Sequence, residues 1–251
     1  MIRQPARNFL NLFVVNAMVS EIALVTGASK GIGRSIAKKL AETGLVVFAT
    51  ARNISQLESL KKEIEGHSGT CHVYSAELTD ETQLDEMINE ILKLKMSIRV
   101  LVQNAGIALV GEVEKLPLSD WQESLRINLT VPFMVTQKCI PFLSDNAHLF
   151  FINSVAGNQT FPAWSAYCAS KYGLRAFADS LRQELAPDGI KVTTIYPTSV
   201  DTPMQDKIPY NWDRSKMLQS DDVAETLISC YQQPAHVQIK DIHLENLAGT
   251  F

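Results

Sequence analysis

The chain is poor in the residues that build several common kinds of site. Its four cysteines, Cys71, Cys139, Cys168 and Cys230, lie far apart with no CxxC pair, which argues against a disulfide framework and a cysteine zinc site. The five histidines show no HExxH or comparable spacing, so no metal is expected. Lys and Arg number 23 against 27 Asp and Glu, for a net charge of −4. No stretch gathers the cations into a stripe, so no nucleic-acid partner is expected. Glycine is scarce as well: 12 in 251 residues, below the usual share of about 7%. Yet three of those glycines fall within 27–33.

What remains is an ordinary globular composition, 46% apolar and 20% charged, with material for a full core. Residues 1–17 differ: Arg3 and Arg7 precede an apolar run over 9–15. That run is shorter than the roughly 20 residues of a membrane span, and no small-residue cleavage site follows it. The segment is expected to be a dispensable extension or an overlong start, with the protein proper beginning at Met18. A cytoplasmic location without a membrane partner follows.

From residue 20 onward, β-branched runs at 22–25, 46–50, 71–75, 100–103, 149–153, 192–196 and 237–244 alternate with helical patterns near 31–43, 54–65, 80–95, 119–143, 164–186 and 220–231. All runs but the last are apolar on both faces, as strands of a covered parallel sheet should be. Ser119 and Gln122 form a capping-box signature for the fourth helix, and Pro187-Asp188-Gly189 ends the fifth. The alternation predicts one domain over 18–251, a doubly wound parallel sheet of about seven strands with helices on both faces.

The crowded glycines follow the first strand and open the first helix, as Thr26-Gly27-Ala28-Ser29-Lys30-Gly31-Ile32-Gly33. Such a turn lets backbone approach a pyrophosphate at a helix N-terminus. An NAD site places an acidic residue at the end of the second strand. Here Ala51 stands in that place with Arg52 beside it. Arg52 and Lys30 together favour a 2′-phosphate, and so NADP(H) over NAD(H).

Tyr167 and Lys171 are four apart in a helical stretch and share a face. An ammonium about 5 Å from the phenol, at an effective dielectric of about 20, is worth roughly 3 kcal/mol, enough to lower the tyrosine pKa by about two. Ser154, at the C-terminal end of a strand, faces the cleft where ligands of such sheets bind. Its hydroxyl either forms a turn ahead of Ala156-Gly157 or bonds a substrate carbonyl beside Tyr167.

Taken together, Thr26-Gly27-x-x-x-Gly31-x-Gly33, Asn104-Ala105-Gly106, Asn128, Ser154, Tyr167-x-x-x-Lys171 and the stretch 197–202 resemble the short-chain dehydrogenase/reductase family in its single-domain branch. The resemblance implies a catalytic set of Asn128, Ser154, Tyr167 and Lys171, with Asn128 holding a water linked to Lys171 through a locally broken helix. It implies a cofactor site of Gly27, Ser29, Lys30, Gly31, Ile32, Gly33, Arg52, Glu77, Leu78, Asn104, Ala105, Gly106, Tyr167, Lys171, Pro197, Val200 and Thr202. Within it Asn104–Gly106 would pass beneath the adenosine ribose, Glu77 lie beside the adenine and Thr202 bond the carboxamide. The implied reaction moves the pro-S hydride between the nicotinamide and a small-molecule carbonyl or secondary alcohol.

Three positions depart from the family pattern: Gln103 for an asparagine, Glu77 for an aspartate, and Thr198 for the glycine usual after Pro197. The last places a β-branched side chain where backbone would approach the nicotinamide. The apolar arc of Leu125, Leu129, Phe133 and the run to Phe142 reads by itself as burial against the sheet, but the resemblance implies that this long helix and the Tyr167 helix pair across a dimer axis, so a homodimer or homotetramer is expected. The loop 198–219, with Tyr210 and Trp212, is expected to set the substrate. The histidines are read as surface or strand-end residues, and Cys168 as a packed small residue. The competing function is a non-catalytic NADP(H)-binding sensor or scaffold of the same fold. A sugar-nucleotide epimerase or dehydratase is not expected, because those relatives carry a larger C-terminal substrate domain.

Overall fold

The structure, a computed structural model, describes residues 21–248; the expected extension over 1–17 lies outside the described residues. Seven parallel strands form one sheet: β1 (Ile22–Thr26), β2 (Val46–Ala51), β3 (Cys71–Ser75), β4 (Ile98–Gln103), β5 (Leu143–Ile152), β6 (Lys191–Pro197) and β7 (Asp241–Leu244). Their order is β3-β2-β1-β4-β5-β6-β7. The helices are α1 (Gly31–Glu42), α2 (Ile54–Gly66), α3 (Glu81–Lys93), α4 (Leu118–Leu125), α5 (Val131–Cys139), α6 (Ser165–Leu185) and α7 (Ser220–Tyr231).

Strand side chains alternate between faces, and the two cores record the alternation. In β1, Ala23 and Val25 face the core shared with Ile36 and Leu40 of α1, Leu57 and Leu60 of α2, and Val223 and Leu227 of α7. Ile22 and Leu24 face the opposite core, with Leu84 and Met87 of α3, Val135 of α5 and Leu174 and Leu181 of α6. Both faces are therefore dry, which is why the strands read as unbroken apolar runs. Among the described residues no helix is long and apolar enough to cross a membrane.

Several local expectations change. The predicted helix 119–143 is two helices joined by a π-turn over Arg126–Thr130, and its capping box does not form. Pro117 is the N-cap without a side-chain cap, and the Ser119 hydroxyl turns to the Asp120 carboxylate at 3.4 Å. Strand β7 begins at Asp241 rather than 237, because Val237 N–H closes a turn onto the Pro234 carbonyl. His148 is not a surface residue: it is 1% exposed, bonded through Nε2 to Thr193 Oγ1 at 2.8 Å and stacked on Phe150. Burial pulls its imidazole down to about 3, so it is a neutral core group. Gln103 also has a task, its Nε2 donating to the Pro132 carbonyl and to Thr136 Oγ1, which ties β4 to α5.

Candidate active site

The strand order reverses between β1 and β4, and the C-terminal ends of these two strands open the cleft. Thr26 Oγ1 donates to the Val102 carbonyl and accepts from the N–H groups of Asn104 and Ala105. Asn104 Nδ2 in turn donates to the carbonyls of Thr26 and Gly27 at 2.9 and 3.1 Å. The turn after β1 is thus clamped to the end of β4. A side chain cannot enter this clamp: a Cβ at Gly33 would lie 2.3 Å from Asn104 Nδ2 and 2.6 Å from the Gly27 carbonyl oxygen. Gly27 and Gly31 hold φ of +66° and +56°, and a Cβ on Gly27 would lie 2.9 Å from Ala105 Cα.

The N-terminus of α1 has no side-chain cap and no acidic residue in its first turn. By contrast, Asn53 caps α2 and Asp80 caps α3. The open N–H groups of α1 face a cavity of about 340 Å³ lined by Gly27, Ser29, Lys30, Gly31, Ile32, Arg52, Glu77, Leu78, Ala105 and Thr202. A second cavity of about 170 Å³ adjoins it, sharing Ile32, Asn104, Gly106, Ile107 and Met204, and adds Ser154, Tyr167, Lys171, Pro197 and Val200. The paired cavities and the glycine cradle fit a dinucleotide laid across the strand ends. Every expected cofactor residue lines one cavity or the other except Gly33, which packs behind the turn.

Arg52 and Lys30 both reach the first cavity, but Arg52 is not free. Its guanidinium pairs with the Glu77 carboxylate at 3.4 Å, with side chains 65% and 37% exposed. Glu77 also accepts from the Thr79 hydroxyl and N–H. Thr198, the departure after Pro197, is held by its N–H on the Leu244 carbonyl and lies in the wall of the second cavity.

Ser154, Tyr167 and Lys171 meet at the floor of that second cavity. The Ser154 hydroxyl forms the turn weighed from the sequence, its oxygen accepting from Ala156 N–H at 3.1 Å, and it is hydrogen-bonded to Tyr167. Lys171 Nζ donates to the Ile152 carbonyl at 3.0 Å and stands 5.7 Å from the centre of the Tyr167 ring. Asn128 lies behind the wall, within the π-turn. Its Oδ1 accepts from Ile107 N–H, and its Nδ2 donates to the Ile107 carbonyl and to Ser170 Oγ. Ser170 Oγ donates to the Tyr167 carbonyl at 2.7 Å. Asn128 therefore braces the floor of the site from behind.

The expected lowering of the tyrosine pKa is not present in the protein alone. Burial pushes the Tyr167 phenol up to about 12, against the opposing hydrogen bond from Ser154. Burial likewise pulls Lys171 down to about 8. Desolvation disfavours both charged forms, and the ammonium is bonded to a carbonyl rather than to the phenol oxygen.

Some members of the site were not read from the sequence. Asn153 Nδ2 donates to the Lys171 carbonyl and its Oδ1 accepts from Ser154 N–H, which couples two of the candidate residues. Phe161 and Trp164 line the cavity beside Trp212. Cys168 is buried, as expected of a packing residue.

The chain is similar in sequence and fold to several known proteins. Human dehydrogenase/reductase SDR family member 11 is 32% identical over 241 residues, covering 89% of this chain and 93% of that protein. The crystal structure of an actinorhodin polyketide ketoreductase variant with NADPH has a TM-score of 0.83 at 27% identity, covering 92% of this chain and 98% of that one. An archaeal alcohol dehydrogenase from Thermococcus sibiricus, complexed with 5-hydroxy-NADP, shares the fold with a TM-score of 0.84 at 23% identity, covering 91% and 97%. The short chain dehydrogenase family matches residues 21–211, so this match spans β1 through the loop after β6. The chain belongs to the short chain dehydrogenase family and is an oxidoreductase of that kind.

Proposed function

We propose that the protein is an NADP(H)-dependent carbonyl reductase in which Tyr167 is the general acid. The observation that carries this reading is the meeting of Ser154, Tyr167 and Lys171 in a cavity continuous with an uncapped, glycine-lined helix N-terminus.

Gly27, Ser29, Lys30, Gly31 and Ile32 hold the pyrophosphate, and Arg52 with Lys30 takes the 2′-phosphate. Glu77 and Leu78 border the adenine. Asn104, Ala105 and Gly106 would hold the ribose, and Pro197, Val200 and Thr202 would hold the nicotinamide. A reduced nicotinamide held there would supply the hydride for the carbonyl carbon. Ser154 donates a hydrogen bond to the carbonyl oxygen, its own oxygen being fixed by Ala156 N–H. Tyr167 donates its proton to that oxygen. A phenol held near 12 is in the form needed for donation throughout neutral pH. As an ammonium, Lys171 stabilises the tyrosinate left behind. Asn128, set in the π-turn, holds the floor and supports a water relay to Lys171. Exposure of Phe133 and Tyr172, 45% and 38%, supports self-association across the α5 and α6 side.

A screen of aldehydes and ketones followed by nicotinamide absorbance, with NADPH and NADH in parallel, tests the reading. Turnover with NADPH and slower turnover with NADH is expected. Faster turnover with NADH overturns the cofactor assignment, and tight NADPH binding without any turnover points to the non-catalytic sensor.

A further inference from the structure

We propose that the cavity above Tyr167 takes a neutral ketone or aldehyde whose carbonyl carries an aromatic ring, and that Trp164 and Trp212, backed by Tyr210, form the wall receiving that ring. The inference rests on the carbonyl-reductase reading of the same site and names its substrate class.

The loop after β6 returns over the start of α6, and three rings meet there. Trp164 and Trp212 are 6° from parallel with centroids 6.0 Å apart. Tyr210 is within 12° of both, at 6.3 and 5.5 Å. Trp164 and Trp212 line the cavity, and Tyr210, 42% exposed, stands outside it as a buttress. Trp164 also meets the Tyr167 ring edge-on, at 5.5 Å and 71°, and Phe161 at 6.3 Å and 63°. The aromatic wall therefore begins beside the proton donor itself. Rings of a substrate prefer these same offset and edge-on arrangements.

The wall is held in place before any substrate arrives. Ala163, the residue before Trp164, has φ of +67°, a left-handed conformation that an alanine adopts only under constraint. Its carbonyl accepts from Gly111 N–H at 2.7 Å. On the other side, Arg214 pins the loop through Asp201, Asp206 and the Thr202 carbonyl. A rigid receiving surface loses little freedom on binding.

Charge sets the other half of the specificity. Among the described residues, Lys171 is the one lining side chain of this cavity that carries a formal charge, and its ammonium donates to the Ile152 carbonyl. Met204 and Ile208 complete the wall with apolar surface. With the carbonyl at Ser154 and Tyr167, a substrate carboxylate or phosphate carried out to the Trp164, Trp212, Met204 and Ile208 wall would leave water without a charged partner there, at substantial cost.

The test uses the full chain with NADPH and three probes: acetophenone, cyclohexyl methyl ketone and 4-acetylbenzoate. Binding is measured by calorimetry on Tyr167→Phe protein saturated with NADPH, and turnover on the wild type. Acetophenone should bind at least about tenfold more tightly than 4-acetylbenzoate. Trp212→Leu should lower the acetophenone-to-cyclohexyl binding ratio about tenfold, the upper range for one aromatic pair, and Trp212→Phe should restore most of it. Tyr210→Leu, at the more exposed buttress, should lower the same ratio about threefold and serves if Trp212→Leu does not fold. Equal binding of 4-acetylbenzoate, an unchanged ratio in the variants, or no binding by any probe overturns the inference. Binding as expected, with no ketone turned over, leaves the aromatic wall standing and counts against the reductase reading. Turnover confined to aliphatic or anionic ketones does the reverse.

Discussion

Replacing Lys171 with methionine should stabilise the fold at pH 7 while impairing the site. Lys171 is 5% exposed, and burial lowers its pKa from 10.5 to about 8. The difference of about 2.5 pH units, at 1.36 kcal/mol each, comes to about 3 kcal/mol of destabilisation wherever the lysine is charged in both states. Methionine removes that penalty but also removes the bond to the Ile152 carbonyl, worth about 1 kcal/mol net. The variant should gain about 2 kcal/mol at pH 7, or about 4–8 °C in Tm for a protein of this size. The sign reverses with pH. Between pH 8 and 10.5 the unfolded lysine binds more protons than the folded one, so wild-type stability rises through that window relative to the variant. By about pH 10.5 the lost hydrogen bond should leave wild type the more stable by about 1 kcal/mol. Urea denaturation of both proteins from pH 7 to 10.5 checks this, the difference between the two cancelling other titrating groups. A gap that does not change with pH, or a variant less stable at pH 7, refutes the reasoning.

Other perturbations should separate the parts of the site. Gly33→Ala forces a methyl into the space of Asn104 Nδ2 and the Gly27 carbonyl; a loss of about 1–3 kcal/mol of stability and weaker NADPH binding are expected by denaturation and cofactor fluorescence, and wild-type values for both would contradict the clamp. Arg52→Gln should raise the KM for NADPH roughly tenfold or more, as loss of a charged hydrogen bond does, while changing the KM for NADH less than about twofold; equal effects on both cofactors would remove Arg52 from the 2′-phosphate. Reductive kcat/KM should fall as pH rises through about 8, because Lys171 loses its charge there while Tyr167, near 12, keeps its proton. A profile flat to about pH 9.5 would show that the ammonium is not needed.

Much of this site is legible because its chemistry is local in sequence. The glycine turn and the Tyr167–Lys171 pair each lie within one strand–helix unit, so residue spacing alone places their groups. Both-face apolar runs likewise give the parallel sheet, since the alternation of Ala23 and Val25 with Ile22 and Leu24 leaves no polar face. What escapes a reading of spacing is contact between distant segments. Trp164 meets Tyr210 and Trp212 only because the loop after β6 folds back over α6. The Arg52–Glu77 pair joins the ends of neighbouring strands β2 and β3. His148 reads as a strand-end residue until β6 supplies Thr193 as its partner. The Tyr167 pKa departs from the expectation for a related reason: a pairwise attraction can be estimated from spacing, whereas desolvation depends on everything packed around the pair. The capping box failed because Pro117 starts α4 earlier than Ser119.

The central claim is that Tyr167 is the proton donor of a nicotinamide-dependent carbonyl reduction. Tyr167→Phe removes one hydroxyl from a buried ring and leaves the cofactor cleft lined as before. Turnover of a reducible ketone with NADPH should fall by about 10²–10⁴-fold, the range for a positioned general acid, while the Kd for NADPH changes less than about fivefold, since one neutral hydrogen bond is worth about 1 kcal/mol or less. Turnover at the wild-type rate would contradict the account.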